Sequence, residues 1–110
     1  MTQLPLGESN FACLSGDMLN RLEQGLIDAD VDADPAVVSE GVLEVEFADG
    51  GKMVINRHDP SQEIWLAART GAHHFRWNGN QWLDTRSGEE LCAAVSRLAS
   101  VMAGQRVEIS

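Results

Sequence analysis

The sequence predicts an α+β fold, a two-layer sandwich with two terminal helices packed on one face of a mainly antiparallel sheet. Three observations carry this reading. Apolar residues recur at helical spacing near both ends of the 110-residue chain. Between those blocks, apolar and polar residues alternate with period two. Clusters of Gly, Pro, Asn and Asp punctuate the alternating stretch, as short strands joined by tight turns require. The length suits one domain over residues 1–110, without repeats, low-complexity tracts or internal linkers.

The first helix runs from about Asn10 to Asp28. Leu14, Met18, Leu22 and Leu26 form its apolar stripe, with Phe11 and Leu19 beside it. Asp17, Arg21, Gln24 and Asp28 take the opposite face, and Gly25 is a local weakness. Asp34-Pro35 closes the segment, because proline biases the residue before it away from helix. The bland reading of Asp28 to Asp34 is a solvated helix end followed by a polar loop.

After Gly41 the period changes to two. Leu43, Val45 and Phe47 alternate with Glu44 and Glu46, giving a half-buried strand with an acidic outer face. A turn at Asp49-Gly50-Gly51 leads into a strand over Lys52–Arg57, and one at His58-Asp59-Pro60-Ser61 into a strand over Glu63–Arg69. His73–Trp77 and Gln81–Asp84 form a further hairpin about Asn78-Gly79-Asn80, in which Trp77 and Trp82 pack across the strands.

Ser87 and Glu90 have capping-box spacing ahead of a second helix, marked by Leu91, Val95, Leu98, Ala99 and Met102 and stopped at Gly104. Arg106 to Ile109 is expected to add a last short strand.

The formal net charge is −9, unevenly distributed. Up to Gly51, eleven acidic residues stand against Arg21 alone, a net −10, while the remainder carries +1. Such a field disfavours nucleic acid, whose binders set Lys and Arg against phosphate, and favours cations or a basic protein partner. Cys13 and Cys92 lie far apart among apolar residues and read as core thiols of a reducing compartment. Met1 to Glu8 has no cation and no long apolar run, and no stretch reaches membrane-spanning length. The expected location is the cytoplasm of a bacterium, without membrane attachment.

Asp28, Asp30, Asp32 and Asp34 stand at alternate positions. Concentrated carboxylates repel by about 1 kcal/mol per close pair even in water, which folding alone does not reward. They are hard ligands suited to ferrous, ferric, calcium or manganese ions. An EF-hand does not fit. Counted from Asp30, its sixth and twelfth positions are Pro35 and Gly41; counted from Asp28, they are Ala33 and Ser39. Any metal site here is expected to be exposed, water-rich and weak.

His73 and His74 are adjacent on a strand and point to opposite faces, so they do not chelate one ion together. No nucleophile elbow, Cys–His pair, phosphate loop or Glu-x-x-His pair occurs, so no enzyme is expected. Trp65 shares an outer strand face with Glu63, Ala67 and Arg69. It is either an interface anchor, since Trp is enriched at binding hot spots, or a ring lying flat across the sheet.

Gly41-Val42-Leu43, Val54-Ile55-Asn56-Arg57-His58-Asp59-Pro60 and Ile64-Trp65-Leu66 together resemble the central signature of the bacterial frataxins. Phe75, Trp77, Gly79, Trp82 and Ser87-Gly88 continue it in order, so the likeness spans about Phe11 to Ile109. The resemblance implies a frataxin-like sandwich and weak iron binding, ferrous or ferric, along an acidic ridge. Carried onto this chain, the ridge is Asp17, Glu23, Asp28, Asp30, Asp32, Asp34, Glu44 and Glu46.

The resemblance also implies a non-catalytic regulator of iron–sulfur cluster assembly, docking on a cysteine desulfurase and a scaffold protein. Trp65, Asn56, Arg57, Glu63, Asp28 and Asp30 would meet these partners. A monomer is expected, with iron-dependent oligomers as the variant state. The rival readings are an iron storage or ferroxidase protein, and an acidic interaction domain without a metal role. The family usually has Gln where this chain has His58 and Glu63.

Overall fold

A computed structural model describes residues 7–29 and 33–109. The leading residues Met1–Leu6, read above for targeting signals, lie outside these, as do Asp30 and Asp32. Two helices, α1 (Glu8–Asp28) and α2 (Leu91–Ala103), flank six strands. The strands are β1 (Ala33–Ser39), β2 (Val42–Phe47), β3 (Lys52–His58), β4 (Glu63–Ala68), β5 (Gly71–Trp77) and β6 (Trp82–Asp84). They form one antiparallel sheet in sequential order, β1-β2-β3-β4-β5-β6. Both helices cover one face of it, as the periodicities require.

Period two decides which side chains meet the helices. Leu43, Val45, Phe47, Met53, Ile55, Ile64, Leu66, Phe75 and Trp82 are buried on the covered face. Against them α1 sets Phe11, Met18, Leu19, Leu22 and Leu26, and α2 sets Leu91, Ala94, Val95, Leu98 and Ala99. Burying a Leu, Ile or Phe side chain stabilises by about 1.5–3 kcal/mol, so this single layer contact dominates the fold. Trp77 and Trp82 are cross-strand partners with ring centroids 5.5 Å apart, as expected.

Five local expectations need correction. The run after α1 is no polar loop but the edge strand β1, in which Pro35 lies opposite Val45. Proline is tolerated there because an edge strand leaves alternate N–H groups without ladder partners. Cys92 is buried, and burial pushes its thiol up to about 11. Cys13, expected in the core, is exposed. At 3.6 residues per turn it stands roughly 200° round the helix from Phe11.

The Ser87–Glu90 capping box does not form. Glu90 is itself the N-cap of α2, accepting from the N–H groups of Cys92 at 2.7 Å and Ala93 at 3.3 Å. Ser87 instead accepts from Glu89 N–H in the preceding turn. Gly104 ends α2 with φ of 71°, where glycine avoids the left-handed penalty.

Arg106 to Ile109 joins no strand ladder. Val107 and Ile109 are nevertheless buried, and serine hydroxyls of α2 satisfy their backbone. Val107 N–H donates to Ser100 Oγ and Ile109 N–H to Ser96 Oγ, each at 2.8 Å.

This tail also explains Gly25. A Cβ at Gly25 would lie 2.7 Å from Cγ2 of Ile109, so the glycine is a packing site where the tail meets α1. Gly25→Ala is therefore expected to destabilise the protein despite alanine's better helix propensity. In an Ile109→Ala background the same change is expected to become favourable. The coupling between the two, read from urea unfolding, should be about 1–3 kcal/mol. Additive effects would remove the steric account.

Candidate functional site

The uncovered face of the sheet collects the side chains that the core rejects. From edge to edge it presents Asp34 of β1, Glu44 and Glu46 of β2, Lys52, Asn56 and His58 of β3, Glu63 and Trp65 of β4, and His74 and Arg76 of β5. Cross-strand pairs place these residues on one surface. Asp34 faces Glu46, Glu46 faces Lys52, Asn56 faces Trp65, Trp65 faces His74 and Glu63 faces Arg76. The surface changes character across the sheet, from carboxylates at β1–β2 to aromatic rings over β3–β5.

At the acidic end, Lys52 Nζ lies 3.3 Å from Glu44 and 3.8 Å from Glu46. These exposed pairs are weak, on the order of 0–1 kcal/mol, and leave the carboxylates open to exchange of partner. On α1, Asp17 and Asp28 are exposed and Glu23 is half-buried. Asp17 lines a groove with Trp77, Gln81 and Trp82, whereas Asp28 borders a hollow beside Gly25 and Ile109. Asp28 accepts from Gln24 Nε2 at 2.9 Å.

Asp28 also stands at the negative pole of α1, whose last turn has no basic residue. That placement is unfavourable by about 0.3–1 kcal/mol. The described part of the ridge is thus a set of carboxylates spread over α1, β1 and β2 rather than one cage. Among the described residues no three His, Cys, Asp or Glu side chains converge as a ligand cluster. The donors present fit an exposed cation whose shell is completed by water.

The aromatic end is built more tightly. Trp65 is stacked between His58 and His74, with centroids 3.8 Å and 4.3 Å away and both interplanar angles 11°. The three rings come from neighbouring strands, so the stack runs along the sheet and its rings stand on edge. Trp65 therefore does not lie flat across the sheet. The adjacent histidines do point to opposite faces, as expected. His73 lies on the helix side, with Nδ1 3.1 Å from the buried Asp84.

Beside Trp65, on the same face of β4, lies Glu63, only 7% exposed. Its Oε1 accepts from Trp65 Nε1–H at 2.9 Å and from the Ser61 hydroxyl at 3.0 Å. Its Oε2 pairs with Arg76 at 3.0 Å. The Asp59–Gln62 turn delivers Ser61 to this position, with Gln62 at φ 54°, a left-handed conformation costing about 1–3 kcal/mol.

Of the partner-facing residues expected from the sequence, Asn56 and Glu63 join Trp65 on this surface. Arg57 does not. It lies opposite the buried Ile64, on the other face, and is held by Asp59 at 3.0 Å and Glu40 at 3.7 Å. His58 and His74 were not singled out as functional residues. Their offsets from Trp65 become visible only once β3 and β5 are set beside β4.

Burial pushes the Glu63 carboxyl up, but hydrogen bonds from Trp65 and Ser61 and the charges of Arg76 and His74 together hold it below the usual range. Asp84 behaves alike. Burial raises it, while the N–H groups of Arg86 and Ser87 and contact with His73 prevail and lower it.

Comparison with known proteins places this architecture. Residues 4–105 match the frataxin-like domain family. The iron–sulfur cluster assembly protein CyaY of Dechloromonas aromatica is 44% identical over 93% of this chain and 97% of its own. That of Ralstonia nicotianae is 50% identical over 87% and 88%. Among solved structures, frataxin from Psychromonas ingrahamii superposes with a TM-score of 0.89 at 27% identity, covering 96% of this chain and 99% of the other.

The lowered pKa values of the buried carboxylates Glu63 and Asp84 make stability depend on acid. Their contribution is complete above the unfolded values, near pH 4–4.5, and is lost as pH falls through the lower folded ones. The thermal midpoint is therefore expected to hold steady from about pH 7 to 5 and decline below about 4.5. Asp84→Asn should lower the neutral midpoint and flatten that decline. An unchanged acid slope in the variant would remove Asp84 from this account.

Proposed function

Because the chain belongs to the frataxin-like family, we propose that it is an adaptor and regulator of iron–sulfur cluster assembly that binds iron weakly. It docks on a cysteine desulfurase and its scaffold protein and catalyses no reaction of its own. The observation that carries this reading is the two-part surface, with separated carboxylates at one edge and a preformed ring stack at the centre of an open sheet face. Neither part has the form of a substrate cleft. Together they suit a broad protein contact, in which charge steers the encounter and aromatic groups supply the close fit.

The carboxylates Asp17, Glu23, Asp28, Asp30, Asp32, Asp34, Glu44 and Glu46 draw a basic partner surface and hold ferrous or ferric ion loosely, with water completing its shell. Iron, as cargo or signal, neutralises part of this field and so tunes the docking. Lys52 already bridges Glu44 and Glu46, which keeps affinity low and exchange fast. Trp65, Asn56 and Glu63 face the scaffold. The working state is a monomer in the bacterial cytoplasm; no described helix is long and apolar enough to cross a membrane.

Two measurements test this reading. If charge steers docking, raising salt should weaken desulfurase binding steeply, because exposed charges are screened beyond about 10 Å at 0.1 M. A salt-independent affinity would sink the steering mechanism. Ferrous and ferric titrations followed by two-dimensional NMR should broaden resonances of α1 and of Glu44–Glu46 in the wild type. The Asp28/Asp30/Asp32/Asp34→Asn variant should lose that response. No perturbation there, with desulfurase binding intact, would leave an acidic docking domain without a metal role. Iron oxidation above the buffer background, abolished in the same variant, would favour a ferroxidase.

A further inference from the structure

The ring stack has one feature that docking alone does not require: the hydrogen bonds that hold Trp65 and His58 both lead to the buried carboxylate of Glu63. Trp65 donates its indole N–H to Oε1. Ser61 donates its only hydroxyl hydrogen to the same oxygen. A hydroxyl so engaged has no hydrogen left for His58, whose Nδ1 lies 2.7 Å from Ser61 Oγ. His58 must therefore carry its own proton on Nδ1 and donate it. The chain His58→Ser61→Glu63←Trp65 runs in one direction at each end and closes on the carboxylate. Arg76 occupies the other oxygen and balances its charge.

The consequence is geometric. Glu63 fixes the indole by its N–H edge and fixes His58 through Ser61. The first covering imidazole is thus held parallel to the indole, and His74 closes the other side from the paired strand. A freely rotating outward Trp would lose rotamer freedom on docking, whereas this one is ordered beforehand.

We propose that Glu63 is the positioning residue of the docking surface. Its carboxylate assembles the His58–Trp65–His74 stack, so that the scaffold partner meets three ring edges in fixed register rather than a mobile indole. This rests on the reading that the Trp65 face meets the scaffold.

The test compares Glu63→Ala, Glu63→Gln, Ser61→Ala and Trp65→Ala in the full chain. Two readouts are used: NMR of the free protein, and affinity for the cysteine desulfurase–scaffold complex. In Glu63→Ala, the Trp65 indole N–H should exchange faster with solvent and lose its ring contacts to His58. Affinity should fall about tenfold as the ordering cost moves to the binding step. Glu63→Gln keeps an oxygen for both Trp65 and Ser61 and releases only Arg76. It should recover the stack and most of the affinity lost to alanine, which a purely charge-based role would not allow. Ser61→Ala lies in a turn, where folding is not at stake. It should loosen His58 alone and weaken binding by a smaller factor.

A stack that persists in Glu63→Ala, or one that dissolves without loss of affinity, overturns the proposal. Should Glu63→Ala not fold, an unchanged stack and affinity in Ser61→Ala overturn it instead. If Trp65→Ala also binds as tightly as the wild type, the docking reading itself fails. If Trp65→Ala weakens binding and Glu63→Ala does not, only the positioning role fails.

Discussion

The burial of one sheet face under two helices is the constraint from which the other features of this protein follow. Strand side chains alternate between faces, so committing Leu43, Val45, Ile55, Ile64, Leu66 and Phe75 to the core sends each neighbour to the opposite side. A one-residue slip in any strand would carry its core residues into solvent, which pins the register. The open face is thus fixed as firmly as the core, although no described element covers it. A binding surface can be carried there at little structural cost because its backbone is already held from behind.

The same constraint explains how the chain closes. The two helices leave a seam, and the C-terminal tail fills it with Val107 and Ile109 without joining the sheet. Buried N–H groups need partners wherever they lie, and Ser96 and Ser100 provide them from α2. Gly25 lets α1 approach the tail by omitting a side chain. What looks like a helix weakness is a packing solution at a three-way junction. Asp84 plays a comparable part at the other end, gathering the turn after β6 and His73 about one buried carboxylate.

On the open face, charge and aromatic character are separated by strand. The acidic edge bears isolated, solvated carboxylates whose contacts with Lys52 are long and exposed. Such groups act at a distance and exchange partners readily. The ring stack is held by hydrogen bonds to a buried acid. His58 and Glu63 both fall in the aromatic part, where they are bonded through Ser61.

Much of this was legible in the residues. Hydropathy periods specified both helices, five of the six strands and nearly all of the core, because burial acts residue by residue along a regular backbone. The order of the turns specified the antiparallel sheet, and the half-chain charge asymmetry marked the acidic edge. The alternation of Ile64, Leu66 and Ala68 placed Trp65 on the outer face of its strand. Other features depended on neighbours distant in sequence. Edge strand β1 carries Pro35 and little apolar periodicity, and only pairing with β2 makes it a strand. Ser87 spacing suggested a cap, but the bond network of Asp84 held that turn and left Glu90 to cap α2. Cys13 stood among apolar residues yet on the wrong side of its helix.

The placement of His58 and His74 on either side of Trp65 required three strands in register, and the burial of Glu63 required all of their side chains together. The sequence by itself determined which residues seek the core, for that preference belongs to each side chain. Tertiary structure alone decided which polar residues meet, since a hydrogen bond or ring stack exists only when separate strands fix both of its ends.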